Sequence, residues 1–356
     1  MTIPGNTGSS FAWEADRVFD GENVLDRHAV VVREGRVEAV VPAGAVPPGM
    51  PVSRFKGATI LPGLIDAHIH FMRWEGPLFL ASGVSTVRDT GNRLDWILAR
   101  RAEWPRENWP RILCTGPILD GAPPVHRHVA EAAADLSQAV EAVRRTAAAG
   151  VDGLKLYVNL PAAWLAPMIG EGHRCGLKVC MHCQGVAASV AMQAGVDELF
   201  HLDGIVTDVW PHHPPGWLNL WGRPEFSGRR DELARMADRI QQHGVAITPT
   251  LAYWDSQWRG RLPGYAEAAT EARVPAAMVQ WQAPPASGAE EWRRAVEEAK
   301  RFVGLLAERG VRILAGTDVP CGAVPAGLSL WREMALLAEA GMSPLRALGA
   351  ATSGAA

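Results

Sequence analysis

The sequence predicts an α/β fold, a (β/α)8 barrel preceded by a small β unit, on three observations. From residue 59 onward, short apolar runs alternate with helical patterns, the signature of parallel βα units. Glycines stand shortly before many of these runs, where they can end the preceding helix: Gly83, Gly150, Gly176, Gly195, Gly244 and Gly310. Residues able to hold a metal stand at the far ends of several runs, and barrel active sites are built at the C-terminal ends of their strands.

Residues 10 to 60 predict short strands broken by turns. Val18-Phe19 precedes Asp20-Gly21, Ala29 to Val32 precedes Glu34-Gly35, and Val37 to Val41 precedes a Pro/Gly-rich loop from Pro42 to Pro51. The boundary is set at residues 1–58 for this unit and 59–356 for the barrel. The barrel strands are expected at Ile60–His70, Ser85–Arg88, Arg111–Thr115, Gly153–Tyr157, Leu177–His182, Glu198–His201, Val245–Thr250 and Val311–Thr317. Between them, Leu233, Met236 and Ile240 share one helical face, as do Trp292, Val296, Ala299, Val303 and Leu306. Two loops exceed what packing needs, 208–227 with Trp210, Trp217 and Trp221, and 252–287 with Tyr253, Trp254, Trp258, Tyr265 and Trp281. They are either lids over the site or small cores of their own.

Bulk properties narrow the function classes. With 356 residues, 48% hydrophobic and 21% charged, the chain has a globular composition. A formal net charge of −3 and a pI near 6.4 give no electrostatic case for nucleic acid or an anionic membrane. No apolar run reaches the roughly eighteen residues of a membrane span. The N-terminus shows no basic segment leading into an apolar one, so a cytoplasmic location is expected. Five scattered cysteines do not form a disulfide framework. Cys180 and Cys183 flank His182, but without a second CxxC they make no zinc knuckle.

The candidate chemistry begins at Gly63-Leu64-Ile65-Asp66-Ala67-His68-Ile69-His70. Strand alternation puts His68 and His70 on one face, and two imidazoles there can bind a divalent ion; two surface histidines are the plain alternative. Lys155 interrupts the apolar fourth strand, His182 and His201 end the fifth and sixth, and Asp318 follows the eighth. Singly, Lys155 fits a buried ion pair, the histidines fit a core, and Asp318 fits a helix cap. A buried lysine can also deprotonate and add carbon dioxide, giving a carbamate that bridges two cations. The six together on one barrel favour a metal site. Tyr157 shares the face of Lys155, and Tyr253 follows strand seven, where a phenol could donate to a developing oxyanion. Packing at the barrel rim is the alternative for both.

The stretches LPGLIDAHIH (61–70), STVRDTGN (85–92), GVDGLKLYV (150–158), CMHCQG (180–185), GVDELFHLDG (195–204), GVAITPTL (244–251) and AGTDVP (315–320) span nearly the whole chain. Together they resemble the amidohydrolase superfamily, in its imidazolonepropionase-like and prolidase-like branch. That resemblance implies a small β-sandwich beside the barrel and two divalent ions, zinc being expected. His68, His70 and Asp318 would hold one ion and His182 and His201 the other, with N6-carboxylated Lys155 as the bridge. It also implies that a bridging water is activated, that Asp318 takes its proton, and that a histidine near His126-Arg127-His128 touches substrate. Relatives continue past the last helices to complete the sandwich, so an incomplete sandwich is expected here. They also often carry glutamate where this chain has Phe200.

The expected function is binuclear hydrolysis of an amide bond in a small molecule, an N-acyl amino acid or dipeptide. The aromatic loops suggest an apolar group on it. Rival readings are a mononuclear cyclic amide hydrolase, an esterase, lactonase or phosphotriesterase on the same site, and a non-catalytic binding protein. Neither a nucleic-acid nor a membrane partner is expected, and homo-oligomerisation is left open.

Overall fold

The structure, a computed structural model, describes residues 10–214, 218–259 and 288–356. Two compact units are present, Met1–Gly63 and Leu64–Ala356.

The first unit is a four-stranded sheet in the order β3-β2-β1-β4. Strand β1 (Phe11–Phe19) pairs antiparallel with β2 (Val24–Arg33), which pairs antiparallel with β3 (Arg36–Pro42); β1 also pairs parallel with β4 (Val52–Ile60). Alternation along β2 separates Ala29 and Val31 from Val30 and Val32, giving two apolar clusters that Ala12 and Val18 respectively join. The β2–β3 turn uses Glu34 and Gly35 at φ 50° and 75°, the pair of positive angles that matches strand twist in a two-residue hairpin. Strand β4 was not expected. Its sequence, VSRFKGATI, shows no clean alternation because a bulge shifts its register against β1.

The second unit is built on parallel strands. Strands β5 (Leu64–Ile69), β6 (Val84–Asp89) and β7 (Arg111–Cys114) form one ladder. The other contains β8 (Ile118–Gly121), β9 (Ala130–Ala133), β10 (Leu154–Leu156), β11 (Val179–His182), β12 (Glu198–Phe200) and β13 (Ala246–Thr248), in the order β13-β12-β11-β10-β8-β9. The fold is the expected (β/α)8 type, with three local differences. Strand one starts at Leu64, because Ile60 ends β4. The third strand is split. Gly116, at φ 71°, turns the chain after Cys114, so β7 pairs with β6 while β8 pairs with β10. The eighth position is no regular strand. Segment 311–319 instead bridges both neighbours, Ile313 to Ile247 of β13 and Val319 to Ile69 of β5. The reason is close approach: a Cβ at Gly316 would lie 2.6 Å from Thr248 Cγ2 and 2.7 Å from His68 Cβ, and Asp318 adopts φ 63°.

All six expected helix-ending glycines have positive φ, between 66° at Gly244 and 93° at Gly195. Both expected helical faces are buried, that of Arg230–His243 and that of Ala289–Glu308. No described helix is long and apolar enough to cross a membrane. Of the aromatic loops, Trp217, Tyr265 and Trp281 lie outside the described residues. Trp221 and Trp254 are fully buried and pack on each other at 5.7 Å, with Phe226, Phe302 and Trp292 around them.

One buried acid organises this region. Glu333, on helix Leu328–Glu339, accepts from the Ala252 N–H at 2.6 Å, at the start of helix Leu251–Arg259. Burial raises its pKa from 4.5 to about 8. A folded pKa above the unfolded one means that Glu333 stabilises the fold fully below about pH 4.5 and progressively less up to about pH 8. Glu333→Gln should remove this slope. In denaturant titrations at pH 5 and pH 8.5, the stability difference should shift toward the variant at the higher pH. A pH-independent difference would contradict the assignment.

Candidate metal centre

The site forms where strand ends and positive backbone angles aim polar groups at one point. His68 lies in β5 and His70 just beyond it, with Ile69 fully buried on the opposite face. His201 and Thr250 follow β12 and β13 at φ 60° and 52°, and Asp318 stands in the bridging segment, just before Val319, at φ 63°. Left-handed backbone at three residues without glycine is costly, and such strain gathers where side-chain direction matters.

Three donors meet closely. Asp318 Oδ1 lies 3.4 Å from His68 Nε2 and 3.4 Å from His70 Nε2, and the three donor atoms all fall within 4.8 Å of one another. Beside them stand His201, its ring 4.8 Å from that of His68, and His182, 4.4 Å from His201. Lys155 Nζ lies 3.5 Å from His68 Nε2 and 3.4 Å from Thr90 Oγ1. Among the described residues, no carboxylate comes within ion-pair distance of this buried amine.

Hydrogen bonds set which nitrogen of each ring faces the centre. His70 Nδ1 is 3.0 Å from the Gly91 carbonyl, so its Nε2 points inward. Asp89 shapes that loop by accepting from Phe71 N, Gly91 N and Asn92 Nδ2. His182 Nε2 is 3.0 Å from Asp203 Oδ2, which leaves Nδ1 as the donor atom. His201 Nδ1 is 2.7 Å from Thr250 Oγ1, whose own proton goes to the Pro249 carbonyl, so Nε2 of His201 carries the lone pair. Asp66 takes the Thr317 hydroxyl and N–H, which anchors the backbone before Asp318. His68 Nδ1 is buried and makes no hydrogen bond among the described residues.

Electrostatics favour the metal-binding forms. Burial first, then the charge of Lys155, holds the His68 pKa well below 6.5; burial and then His182 do the same for His201. Burial opposes an ionised Asp318, but the imidazoles of His201, His68 and His70 outweigh it and hold its pKa well below 3.8. Burial also lowers the Lys155 pKa from 10.5, despite the opposing pull of Asp318. Imidazoles, one carboxylate and an amine of depressed pKa fit divalent ions such as zinc.

A cavity of about 560 Å³ opens onto these groups. His70, Lys155, His182, His201 and Asp318 line it, as do His126, His128, Tyr157 and Tyr253; His68 sits behind them. His126 Nε2 is 3.0 Å from the Tyr157 hydroxyl, and the Tyr157 ring meets His182 edge-on at 5.1 Å. Burial raises the pKa of Tyr157 and of Tyr253, so both phenols stay protonated near neutrality. The apolar wall is Phe71, Met72, Trp96, Ile118 and Val129. Of the two long loops, Tyr253 lines the cavity, while the described tryptophans Trp210, Trp221, Trp254 and Trp258 do not. Asp203, Thr250, Thr90, Asn92 and Cys321 were not singled out from the sequence, although Asp203 stands two residues past His201 within GVDELFHLDG.

Comparison with known proteins follows the same lines. Residues 59–356 match the Amidohydrolase family, and residues 12–60 match the NagA composite domain. An imidazolonepropionase of Klebsiella pneumoniae is 43% identical over 49 residues, which is 14% of this chain and 12% of that protein. The structure is similar to a Bifidobacterium longum protein assigned as a prolidase, with TM-score 0.69 and 24% identity over 97% of this chain and 82% of that one. It is also similar to bottromycin amidohydrolase, with TM-score 0.73 and 25% identity over 97% and 77% of the two chains.

Asp203→Ala should free the His182 ring to turn and weaken metal binding by about 10–100-fold, the usual effect of losing such a partner. Competition against a chelator, with circular dichroism to confirm folding, measures this. An affinity equal to that of the parent protein would remove Asp203 from the site.

Proposed function

Because the chain belongs to the amidohydrolase family, we propose that it is a binuclear metal-dependent hydrolase cleaving an amide bond of a small substrate, an N-acyl amino acid or a dipeptide. The observation that carries this reading is Lys155. It is a fully buried amine, held between two groups of imidazoles, with a depressed pKa and no carboxylate within ion-pair distance among the described residues. An uncharged amine there can add carbon dioxide, and the resulting carbamate would lie between the His68/His70/Asp318 group and the His182/His201 pair.

When bound, two divalent ions, zinc being the natural choice for this donor set, would polarise the scissile carbonyl and make the attacking water acidic. The chain's own residues do the rest. Asp318 Oδ accepts the proton of the attacking water and passes it to the leaving nitrogen. Tyr253, and Tyr157 backed by His126, can donate to the carbonyl oxygen as negative charge develops there. The wall of Phe71, Trp96, Ile118 and Val129 receives an apolar part of the substrate and keeps bulk water away. The similarity to a structure assigned as a prolidase supports an amide of small size.

The tighter cluster, His68, His70 and Asp318, would by itself serve a single ion. A cyclic amide hydrolase with one metal is therefore the second reading, and a metal count of one per chain would favour it.

Asp318→Asn should lower turnover by about 10²–10⁴-fold while retaining part of the bound metal. Near-parental turnover on an acyl-amino-acid panel would exclude the proton-transfer role. Lys155→Ala should abolish activity, with partial recovery on adding bicarbonate and a short carboxylic acid. An active Lys155→Ala enzyme would sink the bridge.

A further inference from the structure

Beneath the candidate metal centre lies a largely enclosed ion pair that the proposed chemistry does not use. Arg88 of β6 donates to Glu198 of β12 through both terminal nitrogens, Nη1 to Oε2 at 2.7 Å and Nη2 to Oε1 at 2.6 Å. Its Nε donates to the carbonyl of Ala67, the residue before His68, at 2.6 Å. Glu198 in turn accepts from Thr248 of β13, two residues before the Thr250 that orients His201. The Arg88 and Glu198 side chains are only 23% and 9% exposed.

Phe200 connects this pair to the ligands. Its ring lies 4.2 Å from the His68 ring, 5.3 Å from Lys155 Nζ and 5.2 Å from the Arg88 guanidinium. One bidentate pair thus reaches β5 at the residue before His68, β12 three residues before His201, and β13 two residues before Thr250. Rows of β-strand backbone determine where a strand end points, so fixing strands across the barrel fixes their terminal ligands. An isolated buried ion pair adds little stability over an apolar pair of similar volume, so stability alone gives weak reason for this one.

Resting on the binuclear reading above, we propose that Arg88 and Glu198 form a cross-barrel brace that holds His201 at a set distance from His68, and so sets the spacing of the two metal positions. Both are positioning residues, since neither touches the substrate or the donor atoms. Arg88 suits this task because its planar fork spans two carboxylate oxygens and still leaves Nε for the Ala67 carbonyl, which the single nitrogen of lysine cannot match.

The test is zinc titration of metal-stripped full-length protein against a chelator, with melting followed by circular dichroism. Arg88→Met together with Glu198→Met removes the brace without leaving a buried unpaired charge. We expect a melting temperature near that of the parent, a first zinc bound as before, and the second bound at least tenfold more weakly. Two zinc ions bound by the folded double variant at parental affinity would overturn the brace and leave the binuclear reading standing. A parent protein that binds only one zinc would overturn both. If the double variant does not fold, Arg88→Lys supplies the measurement: a smaller loss confined to the second zinc supports the brace, and parental affinity for both zinc ions refutes it.

Discussion

The carboxylate of Asp318 is the constraint on which the site depends. It is a buried carboxylate that two imidazoles approach at 3.4 Å, and burial alone would raise its pKa. Its place is set by a backbone that cannot remain a strand. The chain passes Thr248 and His68 too closely at Gly316 for any side chain, then turns through a left-handed angle. The loss of a regular eighth strand is thus a consequence of packing the site. Asp66 compensates by capturing the Thr317 hydroxyl and amide that would otherwise be buried and free.

The same economy governs the other candidate ligands. Each of His70, His182 and His201 spends one ring nitrogen on an orienting partner, a carbonyl, a carboxylate and a hydroxyl respectively, and keeps one for the centre. The partners come from segments that follow neighbouring strands, so parallel strand order supplies both the candidate ligands and their supports. Lys155 differs. Its hydrogen-bond partners are a hydroxyl and an imidazole, neither of which can neutralise an ammonium, and burial lowers its pKa despite the pull of Asp318.

Much of this was legible in the sequence. The period-two placement of His68 and His70, the helix-ending glycines and the apolar faces at 233–240 and 292–306 are local signals, because strand alternation and helix periodicity act within a few residues. The supporting groups were not legible. Asp203 and Thr250 gain their meaning from a contact with a ring on another strand, and a single aspartate or threonine after a strand has many ordinary uses. The loop tryptophans were open to two readings, a lid or a small core, and for Trp221 and Trp254 packing against Phe302 and Trp292 decided for a core.

What the sequence by itself determined is the repeating βα order and the candidate donors at its strand ends, since both depend on spacing along the chain. Tertiary structure alone decided which donors meet, which ring nitrogen each presents, and that Lys155 has a fully buried amine with no carboxylate within ion-pair distance among the described residues. It also decided that strand three would split at Gly116 and that Arg88 would find Glu198 across the barrel. Those outcomes depend on closure of the strands into a ring, which brings residues a hundred or more positions apart within hydrogen-bond distance, and no local pattern encodes that closure.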